Sequence, residues 1–253
     1  MYGACESPQQ GISIVHEFCG GAYPRCRTAL NRRRALKPAP LVLVAGGASG
    51  VGLACARILA ARGARLILCD CDGSALLRAG QELDADTHYC DVISESSVAI
   101  VAEDVLERFR SVDVLINAAG DGDVRTLGMM RMALALLPQM RRNKMPRLIL
   151  NVAPDFGPRE QGEALFPNIA SPRNFRRLSA SLAVQARGSA VRVITIMPRR
   201  AIGEPVGGAI GTKCDDGDVV AAVMSAIFGK AAVGAADRSK PPSAAPAAVK
   251  RTG

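Results

Sequence analysis

Between Leu41 and Ile196 the chain alternates six short, mostly aliphatic runs with longer segments of helical period, and this alternation narrows the fold more than any other feature. The runs are 41–45, 65–69, 88–90, 112–117, 147–152 and 191–196. Leu41-Val42-Leu43-Val44-Ala45 and Leu148-Ile149-Leu150 are continuously apolar, as strands covered on both faces are. Segments 51–63, 74–83, 94–109, 129–142 and 174–187 predict helices, and a last one is expected over 218–228 with Asp215 or Asp216 near its cap. Strands and helices in this order close by right-handed crossovers, which predicts an α/β fold, a doubly wound parallel sheet in three α/β/α layers. With no Trp, three Tyr and six Phe, the core is left to Ala, Val, Leu and Ile, which suits helices packed on a parallel sheet.

Residues 1–37 show no sustained apolar period and end in Asn31-Arg32-Arg33-Arg34, so they are expected to be a flexible extension. A transit peptide and an early start codon both stay open, with Glu6 and Glu17 counting against the first. A single domain is expected over 38–236, followed by a Pro/Ala-rich tail over 237–253. The formal charge of +9 sits in the ends: 1–37 hold six basic and two acidic side chains, 230–253 five and one, and 38–229 hold 21 and 20. A nearly neutral body is not the footprint of a nucleic-acid binder, and no such partner is expected. Apolar stretches are broken by Gly, Arg or Lys short of the roughly eighteen residues that cross a bilayer, so no membrane partner is expected either. The eight cysteines, without a secretory leader, are expected as free thiols in a reducing cytoplasm. His16, Cys19 and Cys26 lack a fourth ligand at suitable spacing, and no metal site is expected.

Chemistry enters after the first strand, at Gly46-Gly47-Ala48-Ser49-Gly50-Val51-Gly52. A glycine turn that opens a helix offers free backbone N–H groups and the positive end of the helix dipole, and missing Cβ atoms let a pyrophosphate approach. Gly46, Ser49, Gly50, Val51 and Gly52 are therefore candidate phosphate contacts. Eighteen residues after Gly52, at the end of the second strand, Asp70 can accept hydrogen bonds from both hydroxyls of an adenosine ribose and would repel a 2′-phosphate.

On these residues the chain resembles the short-chain dehydrogenase/reductases, from about Leu41 to Phe228. Gly46-x-x-x-Gly50-x-Gly52 matches the family's cofactor turn, and Asp70 its NAD-selecting acid. Cys90-Asp91-Val92 is similar to the Asp-Val pair that frames the adenine, and Asn117-Ala118-Ala119-Gly120 to the N-N-A-G after the fourth strand. The resemblance implies a Rossmann fold, NAD as cofactor, Asp91 and Val92 beside the adenine, Asn117 steadying the sheet, and Ala119 and Gly120 close to the ribose–nicotinamide half. It leaves a homo-oligomer open.

The second half departs from the family. Aligning 148–152 with the fifth strand puts Ala153-Pro154 where the family's Ser pair stands, Asn168 at its Tyr and Pro172 at its Lys. The only tyrosines are Tyr2, Tyr23 and Tyr89, and no lysine lies between Arg147 and Val191. The 117–153 stretch is short for the family, implying a truncated helix where the active-site Asn belongs; Pro198-Arg199 replaces Pro-Gly, and the final strand is missing. No catalytic residue is therefore assigned. Two readings follow: an NAD(H)-binding protein that has lost its reductase chemistry, or an active NAD-dependent oxidoreductase on a carbonyl or secondary alcohol with another proton donor. Charge adds a partner expectation, because 38–124 hold six basic and thirteen acidic residues while 125–229 hold fifteen and seven. Arg141, Arg142, Lys144, Arg147, Arg173, Arg176, Arg177, Arg199 and Arg200 would face an acidic ligand or protein.

Overall fold

The computed structural model describes residues 4–5, 12–17, 39–118, 123–153, 172–198 and 216–228. Their strands are β1 (Ala4–Cys5), β2 (Ile12–Glu17), β3 (Leu41–Ala45), β4 (Arg65–Asp70), β5 (Asp86–Tyr89), β6 (Val114–Asn117), β7 (Arg147–Val152) and β8 (Val191–Pro198). The helices between them are α1 (Gly50–Ala61), α2 (Gly73–Leu83), α3 (Glu95–Phe109), α4 (Asp123–Arg142), α5 (Pro172–Gln185) and α6 (Asp216–Phe228). The sheet runs β1-β2-β8-β7-β6-β3-β4-β5. Strands β3 to β8 are mutually parallel, as the sequence predicts for this fold class.

Two apolar layers explain why the central strands are continuously hydrophobic. Leu43, Ile67, Leu115 and Ile149 face α3, α4 and α5, whereas Val44, Leu68, Ile116 and Leu150 face α1, α2 and α6. Alternate side chains of one strand thus enter different cores, and neither face meets water. Strand order reverses at β3, which has β4 on one side and β6 on the other. Chains leaving β3 and β6 diverge to opposite faces there, and the carboxyl ends of these strands border the crevice in which open α/β sheets hold their ligands.

Three expectations need correction. Residues 4–5 and 12–17, placed in a flexible extension, form strands: β2 pairs antiparallel with β8 from Ile12↔Pro198 to Glu17↔Val193. The outer edge of β8 carries backbone groups that need partners, and the run Ile12-Ser13-Ile14-Val15, with three β-branched residues, supplies them. Among the described residues the sheet therefore continues past β8, with an N-terminal strand at that edge. The helix expected to be truncated runs 20 residues from Asp123, six earlier than expected; what is short is the link to it, 119–122. Finally, β5 begins at Asp86, because its ladder with β4 starts at Ile67↔Asp86.

A buried polar chain crosses the middle of the sheet. Asn117 and Asn151 are register partners on β6 and β7, and both are fully buried. Asn117 Nδ2 donates to Asn151 Oδ1 at 2.9 Å, and Asn151 Nδ2 donates to the buried Ser179 Oγ of α5 at 3.1 Å. Replacing Asn151 by Ala strands a buried donor and a buried hydroxyl, each worth about 1–3 kcal/mol. Urea unfolding of Asn151→Ala is expected to show a loss of roughly 2–4 kcal/mol, clearly more than Ser179→Ala, which removes one bond. Equal losses in the two variants would contradict a connected chain.

Candidate functional site

The turn after β3 is shaped by backbone that few residues other than glycine adopt. Gly46 has φ +80° and Gly50 φ +50°. The N–H groups of Gly46 and Gly47 both donate to the carbonyl of Cys69, at 2.8 and 3.1 Å, which ties the turn to the end of β4. A Cβ on Gly52 would lie 1.9 Å from the carbonyl oxygen of Gly46, so α1 approaches the turn as only glycine permits. Ser49 sits at the N-cap in extended conformation, and its side chain makes no capping hydrogen bond. The first N–H groups of α1 have no acceptor within the helix and stand at the positive end of its dipole. Glycine cradle and helix start thus fit an anionic pyrophosphate.

Asp70, the last residue of β4, is fixed beside this turn. Its Oδ2 accepts from the N–H of Ala48 at 3.1 Å and its Oδ1 from the N–H of Asp72 at 3.2 Å. A carboxylate has about four lone-pair directions, so both oxygens keep capacity for further donors. Ala48 is a contact that sequence reasoning passed over: its N–H is spent on Asp70, as those of Gly46 and Gly47 are on Cys69 O.

The other expected residues fall along the same carboxyl edge. Asp91 follows β5; its N–H donates to Ser97 Oγ at 3.1 Å and its Oδ1 accepts from the N–H of Ile93 at 3.0 Å. Val92 is buried beneath α4, and a Cβ on Gly128 would come within 2.4 Å of its carbonyl oxygen. Gly128 was missed because it stands just ahead of the helix expected over 129–142, whereas the structure places it inside α4. Asn117 ends β6, and the next residue's N–H, on Ala118, donates to Ala45 O at 2.9 Å, so β3 and β6 end together. Ala119 and Gly120 lie outside the described residues, as do Pro154, Asn168, Arg199 and Arg200.

On the second half, Ala153 ends β7 buried, its N–H donating to Ile196 O at 2.8 Å, and it carries no hydroxyl. Helix α5 starts at Pro172, a residue suited to a first helical position. The arginines separate, which corrects the idea of one basic face. Arg173, Arg176 and Arg177 are exposed at the start of α5, on the carboxyl edge of the sheet. Arg141 and Arg142 close the last turn of α4 and Lys144 follows it, before β7 begins, so they lie at the opposite edge. Arg147 is buried and ion-paired with Asp113, whose Oδ2 also accepts from the N–H of Leu41 at 2.8 Å; burial lowers the Arg147 pKa from its ordinary value.

Comparison with known proteins agrees with this geometry. Residues 40–201 match the family described as short chain dehydrogenase. Dehydrogenase/reductase SDR family member 7B of Bos taurus is 34% identical over 146 residues, which is 47% of this chain and 45% of that protein. Its counterpart in Danio rerio is 38% identical over 100 residues, 35% of this chain and 32% of that protein. The chain thus spans about a third to under a half of the length of these curated relatives. Among solved structures, a metagenomic short-chain oxidoreductase in complex with NADP has a TM-score of 0.56 at 24% identity, over 75% of this chain and 90% of that one. A short-chain dehydrogenase from Streptomyces avermitilis has a TM-score of 0.50 at 27% identity, over 61% and 63%.

Two glycines separate cradle shape from backbone strain. Gly52→Ala gains about 1 kcal/mol of helix propensity but drives a methyl into a backbone carbonyl, so thermal unfolding is expected to occur at lower temperature and NADH binding to be lost. Gly50→Ala meets open space at its left-handed φ, and a smaller loss of stability is expected. A Gly52→Ala protein as stable as the parent would contradict the close approach of α1.

Proposed function

The chain belongs to the short-chain dehydrogenase family, and on that premise we propose that it is an NAD(H)-binding member whose reductase chemistry is lost or strongly reduced. The family's nicotinamide dinucleotides would supply or accept a hydride when bound. Here the turn residues 46–52 would hold the pyrophosphate, Asp70 the adenosine ribose, Asp91 and Val92 the adenine side, and Asn117, Ala119 and Gly120 the approach of the nicotinamide half. The observation that carries the choice of NAD is the Asp70 carboxylate, held in place by two backbone N–H groups beside the glycine turn. A negative charge there accepts from ribose hydroxyls and repels a 2′-phosphate.

The argument for lost chemistry concerns the proton. As hydride reaches a carbonyl carbon, the oxygen gains charge and needs a donor of suitable pKa. At the family's Ser, Tyr and Lys positions the aligned residues are Ala153, Asn168 and Pro172, none of which releases a proton near neutral pH. Tyr89 offers no replacement: it is exposed at the end of β5, and β4 and β3 stand between that strand and β6. Asp155, Glu163 and Ser171 are the polar candidates of the second reading, an active enzyme with a different donor. The exposed Arg173, Arg176 and Arg177 at the carboxyl edge support an acidic ligand or protein as what this side meets.

Calorimetric titration is expected to show NADH binding at least about tenfold tighter than NADPH, a difference near 1.4 kcal/mol, and Asp70→Ala is expected to erase it. Equal affinities in the parent would overturn the choice of NAD. Assayed with NADH on ketones, turnover is expected to lie on the order of a hundred- to ten-thousand-fold below that of a member with the full Ser, Tyr and Lys set. Fast turnover that survives substitution of Asp155, Glu163 and Ser171 would refute both the alignment and the loss.

A further inference from the structure

Three thiols collect at the ends of β4 and β5, where the proposed cofactor reading gives them no role. The two strands pair in parallel through Cys69↔His88 and Asp70↔Tyr89, and the N–H of Cys90 donates to the carbonyl of Asp70 at 2.9 Å. One step further along this register stand Cys71 and Cys90. Neighbouring strands lie about 4.8 Å apart, within the roughly 4.4–6.8 Å that Cα atoms of a disulfide span. Cys69 and Cys90 belong to one apolar cluster, and Cys71 stands at the bend just past the end of β4. Cys69 and Cys71 are two residues apart on one chain, at about 6.6 Å a poorer pair.

Accessibility divides the thiols into an entry point and a partner. Cys71 is exposed, Cys90 is buried, and both are free. Burial pushes the Cys90 thiol up, with the charges of Asp91, Cys71 and Asp70 adding to that shift and a hydrogen bond to Ser97 opposing it.

We propose that Cys71 and Cys90 are an oxidisable dithiol whose disulfide displaces Asp70 and weakens dinucleotide binding. The second half of this statement rests on the NAD(H) reading above. With a small disulfide such as oxidised glutathione, the Cys71 thiolate attacks one sulfur, the reagent's S–S bond breaks, and one glutathione leaves as thiolate. The Cys90 thiolate then attacks Sγ of Cys71 in the mixed disulfide, and the second glutathione leaves. The two protein thiols give up two electrons and two protons, and oxidised glutathione becomes two reduced molecules. Cys71 is the residue between Asp70 and Asp72, so drawing its sulfur onto Cys90 turns that bend and pulls the N–H of Asp72 from the Asp70 carboxylate. Asp72 also caps α2 through the N–H groups of Ser74 and Ala75, which spreads the disturbance to the helix start.

The test treats the full chain with oxidised glutathione and reads two quantities. Arg78 places Cys71 and Cys90 in different tryptic peptides, so mass spectrometry without reductant is expected to find them joined, lighter by two hydrogens than the reduced pair. The linkage should persist in Cys69→Ala and vanish in Cys71→Ser. The NADH dissociation constant should rise about tenfold on oxidation, the loss of a hydrogen bond to a charged group, and return with dithiothreitol. Cys71→Ser should bind NADH equally with and without oxidant. Glutathione retained on Cys71 with no joined peptide would overturn the dithiol, and a joined peptide with unchanged NADH affinity would overturn its effect on binding. A reduced chain that fails to bind NADH would instead remove the cofactor reading, and the joined peptide would still decide the dithiol.

Discussion

A buried carboxamide in the centre of a parallel sheet has to find its partners within the fold; the Nδ2 of Asn117 does so, while its Oδ1 has none among the described residues. Its amide reaches Asn151 on the next strand, and Asn151 reaches Ser179 on the helix packed above. An unpaired buried polar group costs about 1–3 kcal/mol, so a slip of one residue between β6 and β7, or a rotation of α5, is penalised at once. Apolar packing alone is non-directional and would set register far less sharply. These hydrogen bonds therefore hold the ends of β6 and β7 in register and seat α5 against them through Ser179.

Everything of functional interest lies along that edge, yet its two halves have different character. Around β3, β4 and β5 the chain has glycines at a positive φ, a carboxylate held by two N–H groups, and a helix start with no side-chain cap. Such features suit the binding and orientation of a ligand, and none of them takes part in proton transfer. Around β7 and α5 the corresponding positions carry a buried alanine and a helix-opening proline, with arginines exposed just beyond. On the proposed alignment, a group able to give up a proton near neutral pH would have to come from elsewhere in the chain.

The fold was legible because both periods are clean: aliphatic runs of about the right length alternate with segments of helical spacing, and local preference agrees with the final architecture. The closeness of Asp70 to the glycine turn was legible too, since a strand-turn-helix-strand unit returns the second strand beside the first. What was not legible depended on distant partners. The run at 12–17 is short and means little until β8, far along the chain, offers an edge to pair with. Gly128 reads as a residue just ahead of a helix until Val92 is found against it. The arginines of the second half form one list in sequence, and only the direction of α4 and α5 relative to the strands sends them to opposite edges. The Cys71 and Cys90 relation likewise needs strand register, which composition cannot supply.

A crystal structure of the full chain with NADH bound tests the central claim, an intact binding half joined to a half without its proton donor. The account predicts the pyrophosphate on the Gly46–Gly52 turn, both adenosine ribose hydroxyls on the Asp70 carboxylate, and no Tyr, Lys, Asp or Glu side chain within hydrogen-bond reach of a carbonyl placed at the nicotinamide. A carboxylate or phenol seated there, or a nucleotide bound away from Asp70, would contradict it.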